Sequence, residues 1–489
     1  MSPSLPEKIS LSKNLQISRV LTGLWQVADI EKSGKIINPE NGADDLDTYM
    51  RQGFTTFDMA DHYGSAEIIS GHFLKRYHGQ ADRPIICTKW CPEPGEMSAQ
   101  IVRSGVQERL DRLGVDRVDL LQFHWWMFDH PAWLDALHEL AALRQEGLIT
   151  EIGVTNFDAA HLQLALSDGI PLLTNQIPFS LLDRRAAGPL ADLCKTTNTQ
   201  LFGYGTLCGG FLSDRWLGMP EPVDIPDWSK MKYKRFIDTA GSWEQFQALL
   251  AVTAKIGKKH GVSTSNVATR WVLEQSSVAG VIIGARLGES NHIVDNTRLF
   301  SFALDVEDHE LLKENFNNDI PGDCGDEYRK PPFLTASGDL SHHLTGFHNG
   351  FEATTVDYRR EAKRVLSGSK WEDIAGYCRA QRVGNRILVS GTTATAGFDR
   401  AVAPHDAGAQ TTFILDKISA SLSALGASMD EVLRTRIYIT DVTDAGVVSA
   451  AHGRVFGAIK PVNTLIVVAQ LIGDYRVEIE AEAEIIEGI

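Results

Sequence analysis

The 489-residue chain has six cysteines, Cys87, Cys91, Cys194, Cys208, Cys324 and Cys378. That is too few for a disulfide scaffold, and no pair has the two-residue spacing of a zinc knuckle or a dithiol redox site. Buried, reduced thiols are the expectation. Positive charge is also scarce: 47 Lys+Arg stand against 63 Asp+Glu, a net charge of −16. A chain so acidic is a poor partner for nucleic-acid phosphates or an anionic membrane surface, though a local basic pocket for one small phosphate is compatible with it. No apolar run approaches the roughly 20 residues of a membrane span. The first residues, Met1-Ser-Pro-Ser-Leu-Pro-Glu-Lys8, lack the apolar core of a signal peptide, so a cytosolic location is expected. No Gly-x-Gly-x-x-Gly turn follows the first strand, which disfavours a doubly wound dinucleotide fold.

What the chain has instead is a globular composition, 43% hydrophobic and 22% charged, over a length that predicts several domains. Short aliphatic runs recur at Ile85–Lys89, Val118–His124, Ile149–Val154, Leu172–Gln176, Gln200–Tyr204 and Gly280–Gly284. Amphipathic segments lie among them, at Ser98–Leu113, Pro131–Glu146 and Val262–Gln275. Strand alternating with helix over this length predicts an α/β fold, a (β/α)8 TIM barrel, in residues 1–330. Residues 331–365 read as a linker, with Pro331-Pro332, a turn-rich Thr335–Asp339, and His342, His343 and His348 as polar residues rather than metal ligands. Residues 366–489 read as an α+β domain. Its helices are His405–Leu425 and Thr443–Phe456. Its strands are Arg386–Gly391, Val432–Thr440, Val462–Gln470 and Tyr475–Ile486. The last alternates strictly, with Val477, Ile479, Ala481, Ala483 and Ile485 on one face and glutamates on the other. No repeat links the halves, so two unlike domains are fused.

Four polar residues fall at or just beyond barrel strand ends: Asp58, Tyr63, Lys89 and His124. The C-terminal strand ends of such a barrel form one rim, so residues distant in sequence would converge there. A Tyr beside a Lys is a usable proton donor, since the ammonium favours phenolate and lowers the phenol pKa. A carboxylate can hold the Lys charged, and a His can orient a carbonyl oxygen. Taken alone, a buried Asp–Lys pair is more often a structural element. Trp25, Trp90, Trp125, Trp126 and Phe128 are candidates for an aromatic wall, with Trp90 and Trp125 as candidate substrate contacts. Trp125 and Trp126 are adjacent, and in extended chain they point opposite ways. The proline-rich stretch Leu217–Trp243 reads as a loop able to cover the site.

These residues resemble the aldo-keto reductases over about residues 15–320. Gly23-Leu-Trp-Gln26 looks like the family's opening strand and Asp58-Met-Ala-Asp-His-Tyr-Gly-Ser-Ala-Glu67 like its Asp-to-Tyr signature. Gly153-Val-Thr-Asn-Phe157, Asn175-Gln176, Gly203-Tyr-Gly-Thr-Leu-Cys-Gly-Gly210 and the stretch from Gly284-Ala-Arg286 to Asp295-Asn296 follow in the family's order. The resemblance implies hydride delivery from a nicotinamide to a carbonyl carbon of an aldehyde, ketone or sugar-like substrate. Tyr63 would be the general acid, Lys89 and Asp58 would tune it, and His124 would position substrate. It implies a cofactor site of Trp25, Thr155, Asn156, Gln176, Tyr204, Leu207, Gly209, Arg286, Asn291, His292 and Asn296. Thr155, Asn156 and Gln176 would hold the carboxamide and Tyr204 would stack on the ring. Arg286 falls where the family often has a cation on the 2′-phosphate, which favours NADPH over NADH. For Asn291 and Asn296, helix N-terminal capping is the alternative. Some barrels of this family instead serve as nicotinamide-sensing subunits.

The second half resembles the Rid (YjgF-type) reactive-intermediate deaminases over about residues 367–487. The resemblance rests on Trp371-Glu372, Gly376-Tyr377, Val389–Thr393, Gly426-Ala427, Arg434–Asp441, His452, Phe456 and Val477–Ala481. It implies a chorismate-mutase-like fold and a homotrimer with clefts between subunits, lined by Tyr377, Asn463 and Glu480. Asn463 stands where the enamine-hydrolysing members have a carboxylate-gripping Arg, and an amide cannot make that charge-assisted pair. Imine hydrolysis, and with it a bifunctional enzyme, is therefore disfavoured. Trimerisation or small-molecule binding is the expectation for this domain.

Overall fold

The computed structural model describes residues 5–27, 37–315, 320, 322–325, 350–356 and 359–486. The hairpin β1 (Lys8–Ser10) and β2 (Gln16–Ser18) precedes eight parallel strands. These are β3 (Val20–Gly23), β4 (Thr56–Asp58), β5 (Ile85–Trp90), β6 (Val118–His124), β7 (Ile149–Thr155), β8 (Leu172–Pro178), β9 (Gln200–Tyr204) and β10 (Val278–Gly284). They close in sequence order, with β10 pairing β3, into the barrel that the alternating pattern predicts. Leu15 and Ile17 of the hairpin region pack with Leu21, Cys87, Leu120, Phe202 and Ala279, plugging the barrel bottom with apolar side chains. The other end is left for polar residues.

The surrounding helices are α1 (Pro39–Arg51), α2 (Ala66–Lys75), α3 (Ala99–Leu113), α4 (Ala132–Gln145), α5 (Ala159–Ser167) and α6 (Pro189–Thr197). They continue with α7 (Trp228–Ala240), α8 (Trp243–His260), α9 (Thr264–Leu273), α10 (Ile293–Arg298) and α11 (Val306–Glu314). Their ends follow local chemistry. Gly114 ends α3 in the left-handed region (φ 65°), and Ser242 with Gln245 forms a capping box on α8. α7 corrects the expectation of a loop over Leu217–Trp243. Asp227 caps it by accepting the Lys230 N–H, and the chain from Trp228 to Ala240 contains neither Pro nor Gly.

The C-terminal sheet has the order β11 (Ala353–Val356), β12 (Arg359–Val365), β13 (Ala380–Val383), β14 (Arg386–Thr393), β19 (Val477–Glu484), β17 (Val432–Ile439), β18 (Val462–Val467). A short pair, β15 (Thr395–Ala396) and β16 (Arg400–Ala401), stands apart from it. Helices α12 (Lys370–Ala375), α13 (Ala407–Ala424) and α14 (Ala445–Phe456) complete this half. β11 and β12 correct the extent of the expected linker: Lys363 and Arg364 pair with both Thr355/Thr354 and Arg382/Gln381, so 353–356 and 359–365 are sheet. The prolines and histidines of 331–348 lie outside the described residues. The strict alternation of β19 is observed, with Val477, Ile479, Ala481 and Ala483 buried against the helices. β18 ends at Val467, three residues short of the expected strand. The sheet's other face is open, and Leu388, Leu433, Val462 and Ile466 are exposed there. Among the described residues no helix is long and apolar enough to cross a membrane.

Candidate active site

The polar barrel end surrounds a cavity of about 300 Å³. Strand register sets its wall: Gly23 is level with Asp58, His124 with Thr155, Thr155 with Gln176, and Gly284 with Gly23. Asp58, 3% exposed, accepts Lys89 Nζ at 2.8 Å, Gln176 Nε2 at 2.8 Å and Gln122 Nε2 at 3.3 Å. Lys89 Nζ also donates to the Met59 carbonyl at 2.9 Å. It lies 5.0 Å from the centre of the Tyr63 ring, which meets Trp25 and His62 edge to face.

The Tyr63 phenol departs from the sequence expectation. Burial, then the Asp58, Cys91 and Asp61 charges, raise its pKa well above 10. Lys89 is paired with Asp58, and its charge does not outweigh the burial of the phenol. Tyr63 is thus held as a neutral O–H, the form in which a group donates a proton. For neighbouring Asp61, burial acts upward. The His62 hydrogen bond, the His62 and Arg109 charges and the Cys91 N–H overcome it and hold the carboxyl at about 2.

His124 lies beside Tyr63's side of the cavity. Its ring is 4.1 Å from that of Trp126, its Nδ1 is 3.6 Å from Cys91 Sγ, and its Nε2 is 3.5 Å from Asn156 Nδ2. Asn156, in the left-handed region (φ 60°), accepts the Tyr204 hydroxyl at 2.9 Å. Two hydroxyls of the cavity wall, Thr155 Oγ1 and Thr206 Oγ1, are buried and have no hydrogen-bond partner among the described residues. Buried polar atoms are normally satisfied, so this pair marks the wall as a receptor for a polar ligand.

Most of the residues singled out in the sequence line this one cavity: Asp58, Tyr63, Lys89, His124, Trp25, Thr155, Asn156, Gln176, Tyr204, Leu207, Gly209, Arg286 and His292. Four do not. Lys89 points inward from β5, so its neighbour Trp90 points out and packs on Gly105 of α3, where an added Cβ would lie 2.5 Å from the indole. Trp125 is fully buried, stacks on Phe123, and donates its indole N–H to the Met127 carbonyl; Trp126 takes the cavity side. Asn291 and Asn296 lie outside the wall. The residue at the N-cap of α10 is His292, so neither asparagine caps it.

The sequence reading missed Gln26, His62, Ser229, Lys232 and Tyr233 as wall residues. The last three ride on α7. Ser229 Oγ accepts from Trp25 Nε1 at 3.2 Å and Gln26 Nε2 at 3.3 Å, while Tyr233 covers Gly205 and Gly209. A Cβ on Gly205 would meet the Tyr233 hydroxyl at 2.4 Å and one on Gly209 the ring at 3.0 Å, and both residues have positive φ, so both positions need glycine. α7 therefore spans the cavity mouth from the β3 turn to the glycine-rich turn after β9. The N-cap Asp227 and the Pro/Gly-free run after it were the available signal. At the outer end Asp227 faces both Lys230 (2.6 Å) and Arg286 (3.5 Å).

The Rid-type residues do not form a cluster within one chain. Glu480 accepts from Arg436 at 3.1 Å and Tyr438 at 3.2 Å on the open sheet face. Asn463 donates to the buried Thr435 at 2.9 Å, one pleat along β17 and therefore on the helix-covered face. Tyr377 neighbours Arg379, whose guanidinium donates to its hydroxyl at 3.4 Å.

Comparison with known sequences decides the family, because residues 19–315 match the model of the Aldo/keto reductase family. The chain belongs to the aldo/keto reductase family. Its barrel is similar to the aldo-keto reductase YhdN of Bacillus subtilis, 26% identical over 65% of this chain and 96% of that protein. It is also similar to the 6-dehydroglucose reductase of Agrobacterium fabrum, 29% identical over 57% of this chain and 88% of that one. A glycerol dehydrogenase structure from Gluconobacter oxydans shares the fold, with a TM-score of 0.53 and 24% identity over 64% of this chain and 95% of that one. Aldo/keto reductases are oxidoreductases of carbonyl compounds and use nicotinamide cofactors. Residues 368–485 match a second model, Endoribonuclease L-PSP, which covers the Rid family. This aldo/keto reductase thus carries a Rid-type domain behind its barrel.

Proposed function

We propose that the protein is an NADPH-dependent carbonyl reductase whose reaction takes place in the barrel cavity. The observation that carries this is the convergence of Asp58, Tyr63, Lys89 and His124 on one cavity wall, beside two buried hydroxyls without a partner among the described residues. When bound, the nicotinamide supplies hydride. Thr155, Asn156 and Gln176 present hydroxyl and amide groups to its carboxamide, and Tyr204 offers a ring face. Tyr63 donates its phenolic proton to the carbonyl oxygen as negative charge develops there. Lys89, paired with Asp58 and 5.0 Å from the ring centre, is the cation that stabilises the phenolate left behind. His124 orients the carbonyl, and Trp126 supplies an apolar wall. The fit to a polar cofactor is supported by Thr155 Oγ1 and Thr206 Oγ1, buried hydroxyls of the wall with no hydrogen-bond partner among the described residues.

Arg286 lines the cavity and is only loosely held by its carboxylate neighbours, 3.5 Å from Asp227 and 4.0 Å from Glu289, so its guanidinium can turn to a phosphate. This supports a 2′-phosphate site and hence NADPH. Arg286→Ala should weaken NADPH binding about 10- to 100-fold, the effect of losing a charge-assisted hydrogen bond, with NADH affinity unchanged. Fluorescence titration of both cofactors reads this; equal weakening of the two would place Arg286 elsewhere. The direct test of the function is NADPH oxidation with aldehydes, ketones and sugars. Turnover with members of one class supports the reading, and cofactor binding without turnover on any of them would favour a sensing role.

The Rid-type domain serves assembly in this reading, with a homotrimer formed through its open sheet face. The exposed Leu388, Leu433, Val462 and Ile466 on that face, and the displacement of Asn463 from Glu480 within one chain, support it. Light scattering should give three times the chain mass, and Ile466→Asp should give the monomer; a monomeric wild type sinks the assembly role.

A further inference from the structure

The two domains meet along α5 and α13, and the contact is polar and specific. Asp406 accepts from Gln163 Nε2 at 2.8 Å and Ser167 Oγ at 2.7 Å, and Asp168 accepts from Arg400 at 2.8 Å and the Ala403 N–H at 2.9 Å. At its centre is His161, 4% exposed. Asp158 accepts the His161 backbone N–H at 2.9 Å and faces ring Nδ1 at 2.7 Å, while Asp416 of α13 faces Nε2 at 3.0 Å. Burial alone would lower the His161 pKa, but the two carboxylates override it and raise it. Asp129 and Arg454 complete the charged surroundings. Burial first, then Asp416, lifts Asp129 to about 6, and the Arg454 guanidinium feels Asp158 and Asp416.

The imidazole held between these carboxylates is a platform. Phe128 stacks flat on it, ring centres 3.7 Å apart at 11°, and is flanked by Phe157 and Trp133. Phe128 belongs to the turn between β6 and α4. Two residues earlier in that turn, Trp126 lies over His124 and lines the cavity. Gly350 touches the same turn, its Cβ position 3.0 Å from the Asp129 carbonyl oxygen.

We propose that Asp416 is a positioning residue for the barrel's active site: through His161 and Phe128, the Rid-type domain holds the β6–α4 turn that sets Trp126 over His124. The proposal rests on the reading of the cavity as a reductase site. A domain serving assembly alone would have no need to reach the substrate wall. Here a side chain some 250 residues away in sequence completes the support of one side of it.

The test uses the full chain, with hydrogen exchange and steady-state kinetics on Asp416→Ala and Asp416→Asn. Arg400→Ala is the control, since it removes the interface pairs with Asp168 and with Asp135 of α4, neither of which touches His161 or residues 125–131. Asp416→Ala should speed amide exchange across residues 125–131 about tenfold, by favouring local opening. It should raise KM for the carbonyl substrate about tenfold, with NADPH affinity and the 205–210 turn unchanged, as a misplaced substrate wall requires. Asp416→Asn should shift both in the same direction by less, and carries the test if the alanine variant does not fold. Arg400→Ala should move neither. Unchanged exchange at 125–131 in the Asp416 variants overturns the proposal, as does an equal effect of Arg400→Ala. Exchange is read without turnover, so absence of reductase activity would sink the reductase reading and leave this arm standing.

Discussion

Tyr63→Phe should lower kcat for carbonyl reduction by about 10²- to 10⁴-fold, the usual contribution of a positioned general acid. NADPH binding should stay within about twofold, because the ring contacts that shape the pocket survive the change. Phe keeps the edge-to-face packing against Trp25 and His62 and loses only the O–H. The structure also sets the pH response. Burial and the Asp58 charge raise the phenol pKa well above 10, so Tyr63 stays protonated through neutral and mildly alkaline pH. Loss of the acid form should therefore not limit the wild-type rate there. Steady-state kinetics and a fluorescence titration of the variant check both parts. Unchanged turnover would remove Tyr63 from the reaction.

Lys417→Met should raise the stability of the C-terminal domain, most of all at acidic pH. Lys417 sits inside α13, 7% exposed, and donates to the Thr395 carbonyl at 2.8 Å. Burial, then Arg379, lowers its pKa from 10.5 to about 7. Between those values the unfolded chain holds a proton that the folded chain does not. Stability therefore rises with pH from about 7 toward 10.5, and is lowest below 7, where the folded state must carry a buried ammonium. At roughly 1.4 kcal/mol per pH unit, the swing is up to about 5 kcal/mol. Methionine fills similar volume without the charge. Urea unfolding at pH 6 and pH 9.5, read by exchange in α13, should show a larger gain at pH 6. An equal gain at both would mean that Lys417 is not neutral in the folded chain.

The barrel was legible because its strands are short aliphatic runs, and because the polar tetrad falls at their ends. Parallel strands buried on both faces leave that signature in any sequence. What escaped was orientation and distance. Lys89 and Trp90 are neighbours, and the pleat lets only one face the cavity; the sequence names both and does not say which. α7 was hidden by Pro220, Pro222 and Pro226, which dominate the stretch before Asp227 caps it. β11 and β12 read as connector because Ala353-Thr-Thr-Val356 and Arg359-Arg-Glu-Ala-Lys-Arg-Val365 carry the polar, charged side chains suited to strands near a sheet edge. The His161–Asp416 contact has no periodicity behind it, since it joins two helices of different domains. The phenol's raised pKa depends on burial and on which carboxylate Lys89 serves, and neither is written in residue spacing.

The few cysteines acquire a chemical meaning from their surroundings. Cys87, Cys91, Cys194, Cys208 and Cys324 are buried. Burial raises Cys87 and Cys91 well above the ordinary thiol range and holds Cys194 and Cys208 at about 12. The thiolate is the nucleophile, and these thiols form almost none at neutral pH. Cys91 lies within reach of His124 at the cavity and is still withheld from reaction. A protein proposed to take in aldehydes and ketones thus keeps the thiol beside His124 in its protonated, weakly nucleophilic form.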